Sequence, residues 1–195
     1  MTDHSRKILV IDNYDSFTYN LVHIVEEIIG HEVDVLRNDE IPEGKPEEYT
    51  HIILSPGPGI PDEAGQLKEI IREYGAKKIM LGVCLGLQAI GEVYGGTLKN
   101  LDKVYHGIST EMAQTGKASP IFEGIEKEFE AGRYHSWVIV PESVPPTLEI
   151  TAVDSKGEIM AIQHKSHKVY GVQFHPESIM TPDGKTMINN FLKIQ

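Results

Sequence analysis

Hydrophobic and polar positions along this chain follow one rhythm in the first half and another in the second. Residues 7–12 form a short apolar run ending in polar residues, which reads as a buried strand. Asp15 or Ser16 can then cap a helix. Phe17, Leu21, Ile24, Val25, Ile28 and Ile29 recur at helical spacing, and Gly30 supplies the C-terminal stop. Residues 32–36 alternate as a second strand. Residues 51–54 form a third, closed by Pro-Gly-Pro-Gly. Residues 63–74 read as a helix, 78–83 as a fourth strand and 85–94 as another helix. Alternation of strand and helix at this pitch predicts a parallel sheet with helices on both faces. After residue 96 the pattern changes. Segments 97–112, 128–132, 148–153, 158–163 and 168–174 look like short strands with turns between them, and only 183–192 looks helical. The expected architecture is α/β, an open and mostly parallel sheet with antiparallel strands added in the C-terminal half.

The 195-residue length predicts a single domain, 1–195, large enough to bury a core. No repeat, low-complexity segment or linker divides it, and residues 141–146 read as a loop. Hydrophobic residues at 40% and charged residues at 24% are ordinary for a folded protein. The net charge of −11 disfavours nucleic acid as the main partner, because phosphate backbones repel an acidic chain. No apolar run approaches the ~18 residues of a membrane span. The N-terminus, polar through Lys7 and then apolar for only four residues, is too short in its apolar part for a signal peptide. One cysteine, Cys84, excludes an intrachain disulfide and points to a cytoplasmic, reducing location.

Three short motifs carry candidate chemistry. Gly82-Val83-Cys84-Leu85-Gly86 follows a predicted strand and opens a predicted helix, the nucleophile-elbow pattern with cysteine for serine. Glycines two before and two after the nucleophile let the turn close. The turn puts Cys84 at a helix N-terminus, where thiolate is favoured, and aims the Leu85 N–H at the same point as an oxyanion donor. A buried structural cysteine in a Gly-rich turn fits the pentapeptide equally well. Ser55-Pro56-Gly57-Pro58-Gly59 ends the third strand. In a parallel sheet neighbouring strand ends share one crevice. The prolines stiffen this loop and carry no N–H, which leaves Gly57 and Gly59 as donors. Val172-Gln173-Phe174-His175-Pro176-Glu177 ends the last predicted strand, and His175 and Glu177 can serve as base and orienting acceptor for a thiol. Alone, His-Pro-Glu reads as a surface turn. The pair His164 and His167 reads as exposed loop in a lysine-rich turn, with no second cysteine to complete a metal site. His4, His23, His31, His51 and His106 have no argued role.

Together these residues resemble the class I (triad) glutamine amidotransferases from about Ile8 to Leu192. The segments Asp12-Asn13-Tyr14-Asp15-Ser16-Phe17-Thr18 and Arg133-Tyr134-His135-Ser136 are similar to the chorismate-pathway branch, the glutaminase subunits of anthranilate synthase (component II) and of aminodeoxychorismate synthase. The resemblance implies a flavodoxin-like sheet and a Cys84-His175-Glu177 triad. It also implies oxyanion N–H groups from Gly57 and Leu85, and glutamine held by Pro56, Gly57, Pro58, Gly59, Gln88, Ser136 and Trp137. It implies hydrolysis of glutamine through a glutamyl thioester and delivery of ammonia to a chorismate-binding synthase subunit. That synthase would be anthranilate synthase in tryptophan biosynthesis, or in the alternative aminodeoxychorismate synthase in the folate pathway, or both. The chain itself would carry no metal or other cofactor, and magnesium would be expected on the partner. Two departures from the family pattern are visible: Leu87 stands where histidine is usual, and Trp137 where leucine is usual. Competing readings are a glutaminase subunit for GMP or carbamoyl phosphate synthesis, disfavoured by residues 13–18, a catalytically silent flavodoxin-like binding module, and a thiol hydrolase of another amide or ester.

Overall fold

The computed structural model of the chain describes residues 6–195. Residues 1–5, which include His4 and part of the segment read for a leader, lie outside the described residues. The first half runs β1 (Ile8–Asp12), α1 (Thr18–Ile29), β2 (Asp34–Arg37), β3 (His51–Leu54), α2 (Leu67–Tyr74), β4 (Ile79–Val83) and α3 (Leu85–Val93). The second half runs β5 (Leu98–Asn100), β6 (Ile108–Gln114), β7 (Glu128–Arg133), β8 (Trp137–Ile139), β9 (Leu148–Asp154), β10 (Ile159–His164), β11 (Val169–Val172) and α4 (Gly184–Leu192). Nine strands form one sheet in the order β2-β1-β3-β4-β11-β10-β9-β6-β7, while β5 and β8 pair as a separate ribbon. Neighbours from β2 to β11 are parallel. Those from β11 to β7 are antiparallel.

Period-two alternation explains why β1, β3 and β4 are apolar at nearly every position. Ile8, Val10, Ile53, Leu81 and Val83 face one core, with Leu21, Val22 and Val25 of α1 and Met187, Ile188 and Phe191 of α4. Leu9, Ile11, Ile52, Leu54 and Met80 face the other, with Leu67, Ile70 and Ile71 of α2 and Leu85, Leu87 and Ile90 of α3. Each fully buried aliphatic side chain contributes about 1.5–3 kcal/mol relative to exposure. Helices on both faces are therefore what makes a parallel sheet of this composition stable. No helix among the described residues is long and apolar enough to cross a membrane.

Several boundaries differ from the pattern-based expectation, each for a local reason. The helix expected from residue 63 begins at Leu67, because Gly65 adopts φ +53° and Pro61–Glu63 form a separate 3-10 turn. The strand expected over 97–112 is two strands, β5 and β6, which belong to different sheets. β8 has no counterpart in the pattern, since three residues are too few for a periodic signal. The strand expected over 168–174 ends at Val172 and pairs parallel with β4, so it enters the middle of the sheet instead of extending its antiparallel edge. The α1 N-terminus has no side-chain cap from Ser16; Asp15 Oδ2 instead accepts the Phe17 N–H at 2.8 Å, and Gly30 closes the helix at φ +80°.

At the start of α4 the chain folds back hard on the His-Pro-Glu segment. A Cβ at Gly184 would lie 1.8 Å from the Pro176 carbonyl oxygen. Gly184→Ala must push that carbonyl away, and overpacking of this kind costs about 1–3 kcal/mol. Urea denaturation should show a lower midpoint at unchanged slope. Stability equal to that of the parent would mean that α4 does not hold Pro176 in place.

Candidate active site

Cys84 sits between β4 and α3 with φ +52° and ψ −101°, a conformation that an L-residue adopts at a cost of about 1–3 kcal/mol. The two flanking glycines make the turn sterically feasible. A Cβ on Gly82 would come within 2.5 Å of the Gly86 carbonyl carbon, and one on Gly86 within 2.7 Å of the Leu54 carbonyl oxygen. The Cys84 N–H is tied to the Val172 carbonyl of β11 at 2.8 Å. Leu85, the first residue of α3, carries one of the N–H groups that a helix leaves without an internal partner.

Strand order then brings the other motifs to this point. β3 and β11 flank β4 on either side, with Leu54 opposite Gly82 and Val172 opposite Val83. The Pro-Gly loop and the His-Pro-Glu segment therefore leave the sheet at the same end as Cys84. His175 Nδ1 is 2.5 Å from Glu177 Oε1, and both side chains are buried. Its other nitrogen, Nε2, is buried without a hydrogen bond of regular geometry. The ring lies edge-on to Phe17 at 5.4 Å and to Tyr134 at 4.8 Å between centroids. Its backbone is held by the Gly132 carbonyl, which accepts the His175 N–H at 3.0 Å, and by Thr181 Oγ1, which donates to the His175 carbonyl at 2.7 Å. Burial disfavours the charged ring, but the neighbouring Cys84 and Glu177 outweigh it and push the His175 pKa up to about 10. An imidazolium beside the sulfur is the partner that a thiolate nucleophile needs.

The Pro-Gly loop is latched to the end of β1. Asn13 donates its N–H to Ser55 Oγ at 2.8 Å and its side-chain amide to the Ser55 carbonyl at 2.7 Å. Ser55 Oγ in turn donates to the Pro56 carbonyl at 2.7 Å. A Cβ on Gly57 would meet Asn13 Cβ at 2.6 Å and Leu85 Cδ2 at 2.7 Å. Glycine is needed at 57 for space, since only Gly59 of this loop has a positive φ, +71°.

The segment from Arg133 to Trp137 links β7 to β8 and closes the opposite side. Arg133 is fully buried; it pairs with Asp154 at 2.8 Å and stacks over the Tyr105 ring at 3.5 Å. Its Nε donates to His135 Nε2 at 3.1 Å. Arginine only donates, so His135 is neutral with its proton on Nδ1, which it gives to the Trp137 carbonyl at 3.1 Å. Burial and the Arg133 charge together push the His135 pKa down to about 3. A cavity of about 280 Å³ results, lined among others by Gly57, Gly59, Cys84, Gln88, Ser136 and Trp137.

The structure thus brings together the elbow, the Pro-Gly loop, the His-Pro-Glu pair and the 133–137 segment. Pro56 and Pro58 belong to the loop but do not line the cavity. Leu87, at the position where the resemblance leads one to expect histidine, is a core residue packed beneath Gly171 of β11. His164 is not an exposed loop residue. It is buried, its Nδ1 accepts the Ser166 and His167 N–H groups, and its ring stacks on His167 at 4.1 Å. His51, unassigned from sequence, is buried against the Ile194 carbonyl at 3.1 Å. Pattern reading also missed Phe17 and Tyr134 as neighbours of His175, the Arg133–Asp154 pair, and Val104 and His106 at the cavity. Tyr134 and Arg133 lie inside a motif that the sequence does single out. Val104 and His106 carry no signal.

Comparison with known proteins identifies the family. The family model for class-I glutamine amidotransferases matches residues 9–194. The chain is 46% identical over 188 residues to the aminodeoxychorismate/anthranilate synthase component 2 of Bacillus subtilis, covering 95% of each chain. It is also 46% identical over 193 residues to the bifunctional protein TrpGD of Thermotoga maritima, covering 97% of this chain but only 32% of that protein. Among solved structures, a putative GMP synthase subunit from Thermoplasma acidophilum superposes with a TM-score of 0.85 at 24% identity, covering 96% of this chain and 92% of that one, and so shares the fold.

The raised pKa of His175 makes stability depend on pH. A histidine in an unfolded chain titrates near pH 6.5. With the folded value at about 10, the folded protein binds this proton more tightly. The resulting stabilisation is complete below about pH 6.5 and is lost as the pH rises towards 10. His175→Gln lacks it. The stability gap between parent and variant, measured by urea denaturation, should be widest near pH 6 and shrink steadily above pH 7. A gap that does not change with pH would contradict a protonated His175.

Proposed function

The chain belongs to the class-I glutamine amidotransferase family, and we propose that it is the glutaminase subunit of a chorismate-using synthase, supplying ammonia for anthranilate formation in tryptophan biosynthesis. One observation carries the catalytic part. An imidazole oriented by a carboxylate at 2.5 Å lies beside a cysteine on a strained elbow, and that cysteine lines a cavity together with Gly57 and Gly59 of a rigid loop. The similarity to component 2 of the Bacillus enzyme supports the pathway; its name spans both the anthranilate and the aminodeoxychorismate products, so a dual-use subunit is the second reading.

In this reading the Cys84 sulfur attacks the side-chain amide carbon of glutamine, and the C–O π electrons move onto oxygen. Gly57 and Leu85 N–H groups stabilise that oxyanion, each donor contributing about 2.7–4 kcal/mol in the transition state. His175 Nε2 gives its proton to the departing nitrogen as the C–N bond breaks, and ammonia leaves. The neutral imidazole then takes a proton from water, whose oxygen attacks the thioester carbon. Glutamate is released and the sulfur regains the imidazolium as its partner. Glu177 keeps Nδ1 protonated and the ring oriented throughout. Gln88, Ser136 and Trp137 line the cavity and would hold the amino-acid end of the substrate. No cofactor is required of this chain; magnesium for the chorismate chemistry belongs to the partner.

The surface supports a partner at the same end. The large hydrophobic residues most exposed among those described are Tyr14, Tyr19, Val104, Ile108 and Ile179. Tyr14 follows β1 beside the Asn13 latch, Val104 lines the cavity, and Ile179, 97% exposed, lies two residues past Glu177.

Two outcomes test the proposal. In the complex, Cys84→Ser should abolish glutamine-dependent anthranilate formation and leave ammonium-dependent formation nearly intact, because the two chemistries lie on two chains. Equal loss of both would make Cys84 structural. Secondly, glutaminase turnover of the isolated chain should be weak and rise by ~10²-fold with the chorismate-loaded partner, about the effect of setting one oxyanion donor in place. Ile179→Asp should blunt that rise. Full turnover without any partner would refute the coupling.

A further inference from the structure

We propose that Gln173 is a further catalytic residue of this site: its side-chain amide donates a hydrogen bond to the Cys84 sulfur, in a direction dictated by the Trp137 carbonyl through Gln88. The inference rests on Cys84 being the nucleophile, as proposed above. Gln173 follows β11 directly, next to the strand end that carries Cys84, and is fully buried. Its Nε2 lies 3.5 Å from Cys84 Sγ.

Which end of a glutamine amide faces a neighbour is decided by the hydrogen-bond network, and here a backbone group decides it. The Trp137 carbonyl can only accept. Gln88 must therefore turn its Nε2 towards it, at 3.0 Å. The same Nε2 lies 3.2 Å from Gln173, so its second hydrogen must meet an acceptor there, which is Gln173 Oε1. With Oε1 so engaged, the amide nitrogen of Gln173 is left facing the sulfur. The chain of donors thus runs in one direction, from Gln173 to Cys84 and from Gln88 to both Gln173 and Trp137. His135 locks its far end: its Nδ1–H is the second donor to the Trp137 carbonyl, so both lone pairs are used.

An N–H aimed at sulfur discriminates between its two protonation states. A thiolate accepts a charge-assisted hydrogen bond, whereas a thiol is a weak acceptor. Gln173 therefore favours the nucleophilic form from one side while the His175 imidazolium does so from another. It also fixes where Sγ points on a turn whose backbone is already strained. The triad residues are named by their chemistry, but an amide has none to advertise, and only the strand register brings it to the sulfur.

Cys84 is the sole cysteine, so alkylation reports on this sulfur alone and needs no glutamine. Iodoacetamide labelling of the full chain, followed by intact mass from pH 6 to 10, would be compared for the parent, Gln173→Met, Gln173→Glu and Gln88→Met. Removing one hydrogen bond to a charged group should slow labelling of Gln173→Met about tenfold on the acid side of the labelling midpoint, equivalent to about 1.4 kcal/mol. It should also move the pH midpoint up by about one unit. Gln173→Glu, nearly isosteric, faces the sulfur with acceptors only and should be slower still. Gln88→Met frees the Gln173 amide to rotate and should shift the midpoint in the same direction by less. If Gln173→Met does not fold, the other two variants decide. Parent-like labelling in any folded Gln173 variant would overturn the proposal. Glutamine-dependent synthesis surviving in Cys84→Ser would instead refute the reading of Cys84 on which it rests.

Discussion

Everything at this site depends on the parallel pairing of β11 with β4. β11 is the last strand of the chain, yet it lies in the middle of the sheet, between the parallel half and the antiparallel extension. That single pairing places Gln173, His175 and Glu177 beside an elbow almost ninety residues earlier, and the Cys84 N–H is itself bonded to the Val172 carbonyl. β3 does the same for the Pro-Gly loop from the other side. Three motifs that are far apart in sequence become neighbours because three adjacent strands run the same way and end at the same height. The cost of closing so long a connection is modest, since loop-closure entropy grows only logarithmically with length.

The second constraint is lack of space. Gly57, Gly82, Gly86 and Gly184 each lie where a Cβ would approach a neighbouring atom to less than 3 Å, and none of the four has a positive φ. They are spacers for close backbone approach. The strained dihedral falls on Cys84, the proposed nucleophile, which cannot be glycine. Strain is tolerated at Cys84 because β4, α3, Leu54 and Val172 fix its surroundings from every side. Such over-determination is the condition under which an unfavourable backbone conformation persists in a folded protein.

This distribution explains what can be read in advance. Buried strands β1, β3 and β4 and helices α1 and α3 are legible because a two-sided core demands unbroken apolar runs and helical spacing. The elbow, the loop and the His-Pro-Glu segment are legible because glycine, proline and histidine at fixed offsets carry a mechanism. The β5–β8 ribbon is not legible, being three residues long on each side, with Ile139 packed beside Gly91 of α3. The central place of β11 is not legible either: a strand's sequence reports its burial, not its neighbour. Residues whose role comes from contact alone, such as Gln173 and Tyr134 beside Cys84 and His175, fall in the same class.

The two buried histidines of the site, His135 and His175, show how far residue type falls short of chemistry. Both are buried, and burial alone would make both neutral. His175 has an acceptor, Glu177, on Nδ1 and is held charged. His135 has a donor, Arg133, on Nε2 and is held neutral. The difference is imposed by which partner each ring meets. Arg133 can impose neutrality only because Asp154 balances its own buried charge at 2.8 Å, since a guanidinium left unpaired there would cost several kcal/mol. The ion pair on β7 and β9 thus has a consequence at the far end of the segment it anchors. It keeps a second positive imidazole out of the cavity, where it would compete with His175 for the charge on sulfur. It also leaves the His135 Nδ1 proton free to hold the Trp137 carbonyl. One ring is arranged to carry a proton and the other to hold a backbone still, and the same physics of buried hydrogen bonds produces both.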